Sequence, residues 1–307
     1  MALREKGCVK TITASGGGTL TADANESYRV TEIACVPSSS DTYLTLTVGG
    51  RTINKIRVKG KSGNHLPFPC VKTAQIYEAI TGGLFAALRA RGFDLTIPVP
   101  TGYGLNVARY AETGNVALTF DVYDAGDVKA DEPNGPEGKI QRYLHYGDNA
   151  AAVTASPVAV ANSLMWTGGE QWPFDGVSVP HGVEYRLHGI LACPVARGNN
   201  TANKGYTTFL TLWKEGNVLL DAEDQVGFPF LGTAVTTADA NTYTPAGSVV
   251  GPLTAEYPYP PLWFSPPLPF LEGTTLGVKI TVESAASGGI GANGLDVALA
   301  LEKLRIT

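Results

Sequence analysis

Short runs in which apolar residues alternate with small or polar ones recur along the whole chain. Val116-Ala-Leu-Thr-Phe120-Asp-Val122 and Leu276-Gly-Val-Lys-Ile280-Thr-Val282 have the two-residue period of a strand with one wet face. Further strands are predicted at residues 43–46, 209–212, 140–146 and 295–304. One stretch in the first half departs from this period. Between Val71 and Arg91, the residues Ile76, Tyr77, Ile80, Leu84 and Leu88 fall at helical spacing, although Gly82-Gly83 weakens the middle. The pattern predicts an all-β chain with a helix inserted in its first half.

The strand pattern also repeats. Leu20-Thr-Ala-Asp-Ala-Asn-Glu-Ser-Tyr28-Arg29-Val30 aligns with Val177-Ser-Val-Pro-His-Gly-Val-Glu-Tyr185-Arg186-Leu187 at a constant offset, each reading as strand, turn and strand. Ala34-Cys35 then matches Ala192-Cys193, and Tyr43-Leu44-Thr45-Leu46 matches Phe209-Leu210-Thr211-Leu212, with Gly50 against Gly216. Further on, Phe68-Pro69 falls against Phe228-Pro229, Pro98-Val-Pro100 against Pro267-Leu-Pro269, and residues 116–122 against 276–282. The offset drifts by one residue before Ala34, and eight further residues fall in a loop of mostly turn chemistry, Gly198-Asn-Asn-Thr-Ala-Asn-Lys-Gly205. Two copies of one β-sandwich unit are expected, over residues 1–150 and 151–307, divided near Gly147 to Val160. The helix has no counterpart in the second half, where residues 232–261 read as a long exposed loop.

Composition narrows the class without changing it. With 36 Gly, 20 Pro and only 17% charged residues, the chain suits short strands and tight turns. The net charge of -5 comes without a block of like charges, so no sequence-specific nucleic-acid partner is expected. Arg4, Lys6 and Lys10 make the amino terminus mildly basic, but a polar, Gly-rich stretch follows them. Neither an export signal nor a membrane-spanning helix is expected. Cys8, Cys35, Cys70 and Cys193 show no metal-binding or disulfide spacing and are expected to be buried free thiols.

A search for chemistry yields little. His65, His145, His181 and His188 have no ligand spacing and read as surface or turn residues. Asp121, Asp124, Asp127, Asp131 and Glu132 could hold a cation, but lack the EF-hand order of ligands and read as a solvated acidic loop. No catalytic, cofactor-binding or metal-binding residue is assigned, and no enzyme is expected. Among the tryptophans, Trp213 reads as packed, while Trp166 and Trp172 are contact residues or local anchors. The apolar, Pro-rich run from Tyr257 through Tyr259 to Trp263 and Phe264 reads as a subunit contact in preference to local core.

The duplicated blocks, Tyr28-Arg29 with Tyr185-Arg186, Leu44-Thr45-Leu46 with Leu210-Thr211-Leu212, and Phe120 with Ile280, carry a resemblance. In them the chain resembles the double jelly-roll major capsid proteins of tailless, internal-membrane bacteriophages. That resemblance implies two tandem jelly-roll sandwiches, pseudo-hexagonal homotrimers tiling an icosahedral shell, and residence in the virion after synthesis in the host cytoplasm. It further implies minor capsid or vertex proteins and an underlying membrane as partners, and we place Arg4, Lys6 and Lys10 on the inner surface. Family members usually carry a helix in both halves, from which this chain departs. The rival readings are a carbohydrate-binding tandem sandwich, such as a receptor-binding spike or fibre protein, and a glycan-processing enzyme, which would need paired acids close in space.

Overall fold

Alternating runs such as Val116-Ala-Leu-Thr-Phe120 form strands because period-two alternation buries one face and wets the other: Val116, Leu118, Phe120 and Val122 are buried, while Ala117, Thr119 and Asp121 are only half-buried. The computed structural model describes residues 2–13, 18–35, 42–59, 66–67, 84–109, 115–149, 151, 158–162, 172–174, 176–192, 205–221, 232–235, 262–282 and 296–306. In chain order the first strands are β1 (Leu3–Thr13), β2 (Gly18–Thr21), β3 (Glu26–Cys35), β4 (Thr42–Val48), β5 (Arg51–Lys59) and β6 (Leu66–Pro67). After the helix α1 (Leu84–Arg89) come β7 (Ile97–Val99), β8 (Gly104–Arg109), β9 (Asn115–Asp124), β10 (Ile140–Asn149) and β11 (Val158–Asn162). The rest are β12 (Val183–Ala192), β13 (Gly205–Lys214), β14 (Asn217–Asp221), β15 (Gly232–Val235), β16 (Leu262–Phe270), β17 (Leu276–Val282) and β18 (Asp296–Arg305). The fold is all-β, with antiparallel sheets.

The described residues fall into two compact units. The first draws on Met1–Cys70, Ala79–Leu144 and Ala300–Ile306, the second on His145–Leu299, so β10 and β18 contribute residues to both. Two sheets belong to the earlier strands, in the orders β1-β9-β3-β7 and β2-β8-β4-β5-β6. The later strands run β14-β13-β17-β11-β10-β18-β12-β16, with β15 also paired to β13.

Adding nine to each label turns β1-β9-β3-β7 into β10-β18-β12-β16, and β2-β8-β4-β5 into β11-β17-β13-β14. The same strand order therefore occurs twice. Local geometry repeats with it: the turns Ala24-Asn25 and His181-Gly182 lead into β3 and β12, and the β4–β5 and β13–β14 hairpins both close on two residues of positive φ, Gly49-Gly50 and Glu215-Gly216.

The pairings correct two of the sequence matches. Residues 116–122 lie in β9, whose counterpart is β18, whereas residues 276–282 form β17, the counterpart of β8. Alternating apolar strands look alike, and only the ladder partners separate them. Likewise Arg29 pairs with Pro98 and Arg186 with Pro269, so Pro98 answers Pro269 and not Pro267. Residues 232–235, expected to begin a long loop, form β15 instead, because Gly205-Tyr-Thr-Thr208 offers them a strand edge.

The predicted helix is described only as α1, with Leu84 and Leu88 buried; Ile76, Tyr77 and Ile80 lie outside the described residues. Gly92 ends it in the left-handed region, φ 84°, where its N–H donates to Arg89 O and the Phe93 N–H to Leu88 O. At the other end the carboxylate of Glu32, from β3, accepts the N–H groups of Phe85 and Ala86 at 3.1 and 2.9 Å. Burial pushes Glu32 above the usual carboxylate range despite those bonds.

Candidate functional site

A polar constellation in the first unit grows from the chain between β9 and β10. Its backbone is tied into a knot: the Gly135 N–H donates to Glu132 O, the Glu137 N–H to Ala130 O and the Gly138 N–H to Gly135 O. Gly135 and Gly138 are required there, because a Cβ would sit 2.3 Å from Ala130 O and 2.2 Å from Glu132 O. Arg51 of β5 clasps the knot from outside, donating to Gly135 O at 2.9 Å and to Gly138 O at 2.6 Å.

The knot and strands β3, β7 and β10 enclose a cleft of about 110 Å³, lined in part by Arg29, Asp94, Thr96, Glu132, Asn134 and Arg142. Arg29 donates to Glu132 at 2.7 Å and Arg142 to Glu302 at 2.8 Å. Asn134, held at φ 62°, donates to Thr96 O at 3.1 Å and accepts the Arg142 N–H at 2.6 Å. The Thr96 hydroxyl donates to Asp94 at 2.6 Å. That Thr-Asp pair is a poor nucleophile and base: burial raises the Asp94 pKa, but the bonds from Thr96 and Arg89 outweigh it and hold the carboxyl below its ordinary range. These bonds tie β3 and β10 to the knot.

The acidic run expected to be a solvated loop is instead largely committed to hydrogen bonds. Asp121 accepts the Gly7 N–H at 2.8 Å, Asp127 accepts the Ala2 N–H at 2.6 Å, Asp124 pairs with Arg4, and Glu132 also accepts the Lys129 N–H at 2.9 Å. These carboxylates hold down β1 and the knot. Among the described residues, no three His, Cys, Asp or Glu side chains are grouped closely enough to hold a metal ion.

The histidine and cysteine readings need correction. His145 is neither a surface nor a turn residue: it is fully buried in β10, its Nε2 sits 2.6 Å from Asn162 Oδ1, and burial pushes its pKa down to about 4. His181 does lie at a turn, 2.7 Å from Glu272, and His188 is half-buried on β12; His65 lies outside the described residues. Cys8 is a free thiol but only half-buried, on an edge strand that is exposed over most of its length. The side chains of Cys35, Cys70 and Cys193 lie outside the described residues.

Of the tryptophans, Trp172 resolves as an anchor. It is buried, stacks on Tyr185 at 4.3 Å and tilts against Phe270 at 5.3 Å, so its ring is covered by protein. Trp213 is half-buried on β13, with the ammonium of Lys279 4.8 Å from its ring centre, and Trp166 lies outside the described residues. Of the candidate subunit-contact residues, Trp263 and Phe264 are half-buried on β16, where Trp263 pairs with Gly189. Tyr257 and Tyr259 lie outside the described residues. Arg4, Lys6 and Lys10 are exposed on β1.

No family model and no curated protein matches the chain. Among solved structures it is similar to N-glycanase F (PNGase F), at 12% identity and a TM-score of 0.30, over 97% of this chain and 96% of that one. It is also similar to a β-porphyranase of glycoside hydrolase family 86 from the human gut bacterium Bacteroides plebeius, at 10% identity and a TM-score of 0.20, over 92% of this chain but 34% of the enzyme. Likenesses this distant carry no argument about what this chain does.

Proposed function

We propose that the chain is a structural protein of a virus shell, built as a tandem pair of jelly rolls and self-associating as homotrimers. The observation that carries this reading is the strand order that recurs when nine is added to each label. Each set places eight antiparallel strands in two runs of four, β1-β9-β3-β7 with β2-β8-β4-β5 and β10-β18-β12-β16 with β11-β17-β13-β14, an interleaving that supports the jelly-roll reading. Three copies of a two-roll chain present six rolls, which gives a trimer of near-hexagonal outline able to tile a closed surface. In this arrangement the exposed Arg4, Lys6 and Lys10 line the inner face, and Trp263 and Phe264 contribute to contacts between subunits. Minor shell or vertex proteins and an underlying membrane are its further partners.

Light scattering on the purified protein, followed by negative-stain imaging of the same fractions, tests the proposal. A trimer of near-hexagonal outline, or closed shells, is expected. A monomer at every protein concentration and salt condition overturns it.

A further inference from the structure

Two strands at the ends of their sheets carry exposed aliphatic side chains. Edge strands commonly avoid association through charges, proline, bulges or brevity. Strand β5 follows that rule: it carries Arg51, Lys55, Arg57 and Lys59, and β6 covers its outer side. Its counterpart β14 reads Asn217-Val-Leu-Leu-Asp221 and ends its sheet. A register shift opposite Leu212 and Trp213 leaves Leu219 as an extra residue, so Val218 and Leu219 both stand out, 44% and 47% exposed.

Strand β1 ends the other sheet and is exposed over most of its length, with Leu3 49% and Val9 66% exposed. Among the described residues, four of the six exposed large aliphatic side chains thus lie on these two edges. The edges also differ in charge. Glu215 stands exposed at the tip of the β13–β14 hairpin, whereas β1 exposes Lys6 and Lys10 against the single acid Glu5. Lys6 and Glu215 each lie three residues before the valine, so a parallel approach that brings Val218 to Val9 also brings Glu215 toward Lys6.

From this complementarity we infer that the β14 hairpin of one copy docks on β1 of a second copy, Val218 and Leu219 covering Val9 while Glu215 pairs with Lys6. The inference rests on the self-assembly proposed above and adds one contact to it. Bulges in both strands interrupt any long shared ladder, so the contact is made chiefly by side chains. It is heterologous: each copy offers one surface and accepts the other.

The test is sedimentation equilibrium on wild type, on Val218→Lys/Leu219→Lys, and on Val9→Lys, with far-UV circular dichroism and melting confirming that each remains folded. Wild type is expected to be oligomeric, and each variant to associate about tenfold more weakly or less. An equimolar mixture of the two variants should form a one-to-one dimer, because one intact surface of each kind survives. A mixture that stays monomeric overturns the pairing of β14 with β1. Variants that associate like wild type overturn the docking surface while leaving the shell reading in place, whereas a monomeric wild type removes both. Should the β14 variant fail to fold, Glu215→Lys serves instead: its association should weaken and recover when combined with Lys6→Glu, and an unrescued loss counts against the register.

Discussion

The same dipeptide occupies the same slot in both strand sets, and its surroundings differ. Tyr28 pairs across its ladder with Val99 and Tyr185 with Phe270, and both tyrosines are buried. Tyr28 tilts against Phe120 at 5.0 Å and donates its hydroxyl to Glu26 at 2.8 Å; burial, helped by that carboxylate, pushes its pKa up to about 12. Tyr185 instead stacks on Trp172, a residue outside every regular strand. Each arginine that follows faces out. Arg29 reaches Glu132 in the knot, whereas Arg186 turns back to Glu184 on its own strand at 2.8 Å. The repeat keeps the backbone slot and the inward or outward sense of each side chain, while Glu132 and Trp172 come from connecting segments.

The largest expected effect lies at the stacked tyrosine. Trp172→Ala removes a ring that is 2% exposed and in contact with two others, and should destabilise the protein by about 3–5 kcal/mol in denaturant unfolding. Phe120→Ala, beneath Tyr28, should cost less, since Phe120 is 9% exposed. A loss below about 1 kcal/mol for Trp172→Ala would mean that its contacts in the second set are incidental.

The leading strands of the two sets differ as sharply. β1 is exposed, and β10 is buried along most of its length, with a histidine inside. His145 has a folded pKa of about 4 against an ordinary 6.5, so between those values the unfolded chain binds the additional proton. Stability is therefore fully present above about pH 6.5, falls as the pH drops toward 4, and levels off below it, with a loss of about 3 kcal/mol from this group. Urea midpoints across that range should show the slope, and His145→Gln should flatten it. An unchanged slope in the variant would assign the acid sensitivity to other groups.

How much of this was legible in the sequence depends on the range of the interactions. The all-β class, the repeat at Tyr28-Arg29 and Tyr185-Arg186, and the matched glycines Gly50 and Gly216 were readable, because alternation and turn chemistry are local. The equivalence of β9 with β18 was not, since two alternating apolar strands carry no mark of which neighbour they join. The acidic run from Asp121 to Glu132 looked solvated because its partners, Gly7, Ala2, Arg4 and Arg29, lie about a hundred positions away in the chain. His145 looked like a surface residue for the same reason: its burial is a property of the sheet. The exposed pair Val218-Leu219 did leave a signal, an aliphatic run beside a tight turn, but its lack of cover became visible only once the strand order was known.

The finest division between the two sets falls at the paired arginines. Removing Arg29 leaves Glu132, whose side chain is 22% exposed, without its guanidinium, and takes away the cation that lies 5.3 Å from the Tyr123 ring. Arg29→Ala should therefore cost about 1–3 kcal/mol. Arg186→Ala removes a more exposed arginine bonded to its own strand, and should cost less, about 0.5–1 kcal/mol, as partly exposed pairs do. The two variants also differ in the kind of loss. Glu132 accepts the Lys129 N–H as well, so loosening it disturbs the knot that Arg51 clasps, and hydrogen exchange over residues 129–138 should rise in Arg29→Ala alone. Equal costs with equal exchange would mean that the knot folds without Arg29, and that the two outward arginines are as alike in energy as they are in sequence.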